Sequence, residues 1–240
     1  MLCGTAARRV LTDYADVIGE VLPEILPSVG FVQRHPCHIY TVYEHCLAAL
    51  EHIPPEPVLR WTALLHDLGK PDCCTADDDG THHYYGHADR SAVLAAAALT
   101  RLKFDTASRE RILRLVSVHD RPIEPTVPAV KRALWKLTPE VFSQLIAVKR
   151  ADNFAQAGHL RDRQKYYDEL ERIAAEILAA RDCFSLRDLA VSGDDLMALG
   201  VPKGPAVGAA LKSLLGAVID GAVPNEKSAL LSFLAAKEGE

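Results

Sequence analysis

With 240 residues, a formal charge of −5 and apolar side chains at 49% of positions, the chain can build one sizeable core, or one domain plus a smaller appendage. The acid excess argues against a protein that coats nucleic acid, and no apolar run approaches the roughly 18 residues of a membrane span. Aromatic residues make up only 6%, and Leu and Ala dominate the apolar set, so an all-α fold is expected.

The first 20 residues lack an apolar segment followed by a small-residue cleavage site, so no secretion signal is read there. Cysteines stand at positions 3, 37, 46, 73, 74 and 183 without a C-x-x-C pair, which suits free thiols and a reducing, cytoplasmic setting.

In chain order, Ile39, Val42, Tyr43, Cys46, Leu47 and Leu50 recur at helical spacing and predict an amphipathic helix over 38–52. Spacing by seven puts His38, His45 and His52 on roughly one face of it. After Pro54 and Pro55 a second helix is expected from about Glu56 up to the pair His66-Asp67, with Pro57 in its first turn. Residues 71–86 break the helical pattern, and Asp79-Gly80 within them predicts a small hairpin near 73–84. A calcium loop is rejected there, because Thr75 stands in the first ligand position and no Glu follows at the required distance.

Helices are expected over 88–102 and 107–119, then a proline linker through Pro122, Pro125 and Pro128. A short helix near 129–137 follows, then a long one entered through Thr138-Pro139-Glu140 that carries Asp152, and another over 163–181. From about Ser185 glycines punctuate what read as short helices up to Asn225, with a last helix over 226–236. The expected organisation is a helical domain over 1–184 and a small helical appendage over 185–240.

His66 and Asp67 follow an apolar stretch, where both are costly unless paired or liganding. Gly69 then permits a tight exit and Lys70 offers a point charge for a phosphate. His45 and Asp152 complete a mixed nitrogen and oxygen set suited to Mn, Fe, Co, Ni, Zn or Mg. His87 and His119 fall at predicted helix ends and could ligate a second metal or bind a substrate phosphate. Asp120 repeats the His-Asp dipeptide, but Arg121 beside it suggests an exposed salt bridge. The rival reading of these positions is a set of satisfied polar residues in a helical core. His38, His82 and His83 read as ordinary surface or hairpin residues, and Trp61 and Trp135 as core or interface.

The order His45, His66-Asp67, Asp152 resembles the HD superfamily of metal-dependent phosphohydrolases. HIYTVYEHCLAAL, LRWTALLHDLGKP, DDGTHHYYGHADRSA, LVSVHD and RADNFAQ resemble the HD region of bacterial tRNA nucleotidyltransferases, the CCA-adding enzymes. The tail LAVSGDDLMALGVPKGPAVGAALKSLLGAVIDGAVPNEKSALL and the lead-in RVLTDYADVIGEVLPEI are similar to that family as well. The resemblance implies an HD-domain helical bundle, with metal ligands His45, His66, Asp67 and Asp152 and with Asp67, Lys70, His87 and His119 in catalytic roles. The nucleotidyltransferase head would need a Gly-Ser-type phosphate loop and a D-x-D pair. No such segment is found, so CCA addition is not expected of this chain.

The chemistry expected is hydrolysis of a phosphoester by a metal-activated water, with Lys70, His87 or His119 stabilising the charge on the phosphoryl oxygens. A phosphorylated small molecule or nucleotide, a 2′,3′-cyclic phosphate or an RNA end is compatible with the resemblance. The alternative is a non-catalytic scaffold that grips tRNA through residues 101–165, where 14 Lys and Arg face 7 Asp and Glu.

Overall fold

The computed structural model describes residues 1–238, a helical chain with one two-stranded hairpin. No helix among these residues is long and apolar enough to cross a membrane. The helices are α1 (Ala7–Asp13), α2 (Ala15–Val21), α3 (Val42–Glu51), α4 (Pro57–Leu65), α5 (Lys70–Cys73), α6 (His87–Arg101), α7 (Thr106–Val118), α8 (Val127–Leu137), α9 (Pro139–Phe154), α10 (Arg163–Ala179), α11 (Gly193–Ala198), α12 (Pro205–Ile219) and α13 (Lys227–Glu238). They form two compact units. One is residues 1–122 with 140–168, and the other is residues 123–139 with 169–240.

In the first unit α3 is the central helix. Thr41 and Glu44 close a capping box at its start, each side chain bonding the other's backbone N–H. Eight of its ten residues are buried, so it is core on nearly every side. The Tyr43 hydroxyl donates to the Leu11 carbonyl at 2.9 Å and ties α3 to α1. Helix α4 packs on α3 and α7, and α6 packs on α7. Strands β1 (Thr75–Ala76) and β2 (His82–His83) pair antiparallel, Thr75 opposite His83. The Asp79-Gly80 turn expected from the sequence closes them, with Gly80 at φ +83°.

The second unit holds its own apolar core, in which Leu196, Leu214, Leu215 and Leu230 are fully enclosed and Trp135 packs at the edge. Arg132 with Asp220, and Lys131 with Asp182, form ion pairs within it.

Three details correct the sequence reading. The first helix begins at Val42, where the capping box fixes it, so His38 lies in the preceding loop and only His45 is inside the helix. Gly208 and Gly216 do not interrupt α12, which runs unbroken for 15 residues; both have open space around them. Gly69 is in ordinary right-handed backbone geometry (φ −79°), so a tight exit is not what requires glycine there.

The requirement at Gly69 is close approach. A Cβ at this position would fall 2.6 Å from the His87 carbonyl oxygen and from the Ser91 nitrogen, both backbone atoms at the start of α6. The Gly69 N–H donates to Ser91 Oγ at 2.8 Å across the same contact. Gly69→Ala should therefore lower stability by about 1–3 kcal/mol through overpacking, read from the urea midpoint. An unchanged midpoint would show that the two elements can move apart freely.

Candidate metal centre

His66 and Asp67 come from the exit of α4. His66 stands one residue beyond α4 and donates from Nδ1 to the Ala63 carbonyl at 2.8 Å. That bond leaves Nε2 aimed inward. His45 on α3 faces the Ala155 carbonyl through Nδ1 at 3.3 Å and presents Nε2 to Asp152 Oδ1 at 2.8 Å and Asp67 Oδ2 at 3.3 Å. Asp152 reaches in from α9, with Gln156 Nε2 donating to its other oxygen at 3.2 Å. One ligand atom from each of His45, His66, Asp67 and Asp152 lies within 4.8 Å of the others.

His87 opens α6 and donates from Nδ1 to the Tyr84 carbonyl at 2.8 Å; His119 follows α7 and donates from Nδ1 to the Val116 carbonyl at 2.8 Å. Their Nε2 atoms stand 3.3 Å apart, and 3.3 and 3.5 Å from Asp67 Oδ1. Asp67, His87 and His119 thus form a second trio that could hold an ion, sharing Asp67 with the first.

In every one of these four histidines Nδ1 is spent on a backbone carbonyl while Nε2 points at the cluster. Metal-binding histidines carry this same outer hydrogen bond, which fixes the tautomer and the ring.

Three buried side-chain atoms are left over among the described residues: His38 Nδ1 beside the cluster and two atoms within it. His66 Nε2 and Asp67 Oδ2 are buried and have no hydrogen-bond partner. Lys70 Nζ is 2.7 Å from Asp67 Oδ2, but off the line a hydrogen bond needs, so the oxygen is charge-compensated and not bonded. A polar atom buried without a hydrogen bond costs about 1–3 kcal/mol, and a cation between His66 and Asp67 would give both atoms a partner. The donor set of imidazoles and carboxylates fits a divalent ion.

Electrostatics agree with this geometry. Burial opposes ionisation of Asp67, but Lys70 and His66 outweigh it and hold the carboxyl well below the usual range. Burial opposes ionisation of Asp152 too, but the bond to His45 and the nearby His66 outweigh it and lower the carboxyl well below the usual range. Burial pushes His66 down, yet the Asp67 charge lifts it well above 6.5. In the second trio His87 is raised, the bond to Asp67 overcoming burial, whereas burial dominates at His119 and lowers it. The opposite shifts suit two facing Nε2 atoms, of which one donates and the other accepts.

Lys70 is enclosed and not on the surface. Its Nζ also donates to Gln33 Oε1 at 2.9 Å and lies 5.3 Å from the Tyr84 ring centre. Asp120 is exposed at the cleft, and neither it nor Arg121 forms an ion pair among the described residues, which removes the expected salt bridge. Instead Lys149 donates to the His119 and Arg121 carbonyls at 2.6 and 2.7 Å, and its burial pushes its pKa down to about 8. A cavity of about 430 Å³ opens over the cluster.

The sequence reading passed over His38, His83, Lys149 and Gln156, all of which line that cavity. For His38 the seven-residue spacing to His45 was a signal, and the two rings stand 5.6 Å apart edge to face. For Lys149 and Gln156 the signal is their helical spacing from Asp152, one turn before and one after.

A family model described as tRNA nucleotidyltransferase domain 2, putative, matches residues 88–234. The chain is 31% identical over 226 residues to a CC-adding tRNA nucleotidyltransferase of Thermus thermophilus, covering 91% of this chain and 50% of that protein. It is 31% identical over 220 residues to an A-adding tRNA nucleotidyltransferase of Deinococcus radiodurans (87% and 50%), and 29% over 165 residues to a multifunctional CCA protein of an Azoarcus species (62% and 38%). The chain spans about half the length of the first two.

Asp67 shifts His66 toward holding its proton, so a metal ion and a proton compete for His66 Nε2. Metal affinity should therefore fall as pH drops below the raised His66 pKa, by about tenfold per unit for one displaced proton. Asp67 and Asp152 are ionised throughout and add nothing to the slope above about pH 4. Calorimetric titration with Mn²⁺ at pH 6, 7 and 8 checks this; an affinity independent of pH would contradict it.

Proposed function

The chain belongs to the tRNA nucleotidyltransferase domain 2 family, and on that premise we propose that its cleft is the active site of a metal-dependent phosphohydrolase acting on nucleotides, 2′,3′-cyclic phosphates or RNA ends. The observation that carries the reading is the pair of buried atoms without a hydrogen-bond partner, His66 Nε2 and Asp67 Oδ2, within the four-residue cluster. A folded core has no use for them unsatisfied.

His45, His66, Asp67 and Asp152 would hold the ion. When bound, a divalent ion supplies Lewis acidity toward a phosphoryl oxygen and lowers the pKa of a water molecule beside it. The protein's own groups supply the rest. Lys70, held by Gln33 and Asp67, places a fixed positive charge at the cavity wall, where negative charge gathers on a phosphoryl group. His87 and His119, shifted in opposite directions, can between them donate a proton to a leaving oxygen and accept one in return. Lys149 holds the His119 carbonyl and so positions that ring from α9, the helix that also carries Asp152.

Asp67→Ala should lose metal binding and reduce turnover of bis-p-nitrophenyl phosphate and 2′,3′-cyclic AMP to background. Full activity in that variant would overturn the reading. Lys70→Met, which keeps the bulk and removes the charge, should lower kcat about 100-fold, the scale of one lost oxyanion donor. Unchanged kcat would restrict Lys70 to packing.

A second reading is favoured by the relatives, which are tRNA nucleotidyltransferases, and by the basic 101–165 stretch. In it the unit is a tRNA-binding or scaffold module without turnover. Gel shifts with tRNA beside phosphatase assays, each with and without chelator, separate the two. Chelator-insensitive RNA binding with no hydrolysis favours the module.

A further inference from the structure

The cavity over the cluster has two unlike ends. One is the charged floor of Asp67, Lys70, His87 and His119. The other is an aromatic rim built by the segment from β2 to the start of α6, His82 to Gly86. Along this segment side chains alternate, as in any extended strand. His82 and Tyr84 pair edge to face at 6.2 Å, while His83 and Tyr85 stack in parallel, centroids 5.7 Å apart and planes only 8° from one another.

Tyr85 is 81% exposed, the most exposed large apolar or aromatic side chain among the described residues. Its ring rests on His83 and offers its remaining surface to the cavity mouth. The lower ring is itself held: His83 Nε2 bonds Asp77 Oδ2 at 2.8 Å across the hairpin. Gly86, at φ +77°, makes the turn into α6 directly after Tyr85. The position is tied to the floor as well. The carbonyl of the adjacent Tyr84 orients His87, and its ring covers Lys70. An open, oriented aromatic face is thereby fixed one residue away from two groups of the charged floor.

We propose that Tyr85, supported by His83, is a stacking platform for the base of a nucleoside phosphate whose phosphate lies on the charged floor. A planar π surface beside a cationic, phosphate-sized pole matches that ligand class, and stacking on an aromatic side chain tolerates any base because every base has a π face. The cavity volume of about 430 Å³ falls within the range of small-molecule sites. The inference rests on the phosphohydrolase reading of the cleft and names which phosphoesters the cleft prefers. Tyr85 is a specificity-determining residue and takes no part in bond breaking.

Calorimetry on the Mn²⁺-loaded full chain tests it with hydrolysis-resistant phosphonate analogues of AMP and of ribose 5-phosphate, and with a short oligoribonucleotide ending in adenosine 3′-phosphate. The wild type should bind the nucleotide analogue more tightly than the base-free one. Tyr85→Ala should weaken the nucleotide roughly tenfold to a hundredfold, the effect of losing one stacked base, and leave the base-free analogue within about twofold. Tyr85→Trp should retain the nucleotide affinity. A loss seen with the AMP analogue assigns a free nucleotide as the ligand; a loss seen only with the oligonucleotide assigns an RNA terminus. If the wild type binds both small analogues equally and Tyr85→Ala changes neither them nor the oligonucleotide, the platform is refuted while the phosphoester site stands. If no probe binds the wild type, the phosphohydrolase reading falls and the platform with it.

Discussion

An ionised carboxylate with 1% of its residue surface exposed, as at Asp67, is tenable only where surrounding charges and hydrogen bonds repay its lost hydration. The Lys70 ammonium group does most of this, within a ring of four imidazoles. His45 and His66 lie toward Oδ2 with Lys70, and His87 and His119 toward Oδ1. The arrangement leaves two of its buried polar atoms, His66 Nε2 and Asp67 Oδ2, without a hydrogen-bond partner, which a plain hydrogen-bond network would avoid. Much of the first unit can be understood as a frame that keeps this one carboxylate buried and surrounded.

The frame works through helix ends. His66 and His119 each stand one residue beyond a helix, and each uses Nδ1 to take up a carbonyl three residues back, which the helix terminus leaves without a partner. Capping the helix and aiming Nε2 are therefore the same act. The negative ends of α4 and α7 add a field that favours positive charge at the cluster. His87 sits instead at a helix start, and borrows its carbonyl from Tyr84 in the preceding turn. Gly69 allows the exit of α4 and the entry of α6 to meet at backbone distance, which brings Asp67 and His87 together. The hairpin then carries its aromatic rim over the same point.

Much of this was legible in the sequence because its causes are local. The apolar period, the prolines at helix starts and the Asp79-Gly80 turn act within a few residues, and they gave the helices and the hairpin within a few positions. His45, His66, Asp67 and Asp152 could be singled out because polar groups in apolar frames are costly, and the structure brings the four together. What stayed hidden depends on neighbours distant in the chain. Gly69 reads as a turn glycine until α6 is seen to press on it, and nothing local to Lys70 shows that Gln33 and Tyr84 enclose it. His38 escaped because it lies ahead of the helix whose periodicity made His45 stand out. Gly208 and Gly216 looked like breaks because glycine lowers helix propensity, but the apolar face of α12 holds the helix through both of them.

The central claim is that the orphaned atoms of His66 and Asp67 exist to hold a cation. Anomalous diffraction from crystals grown with Mn²⁺ tests it most directly. The prediction is a peak about 2.0–2.3 Å from His45 Nε2, His66 Nε2 and one oxygen each of Asp67 and Asp152, with the Nδ1 bonds to Ala63 and Ala155 intact. A cluster without an anomalous peak, its four side chains closed into hydrogen bonds with one another, would contradict it.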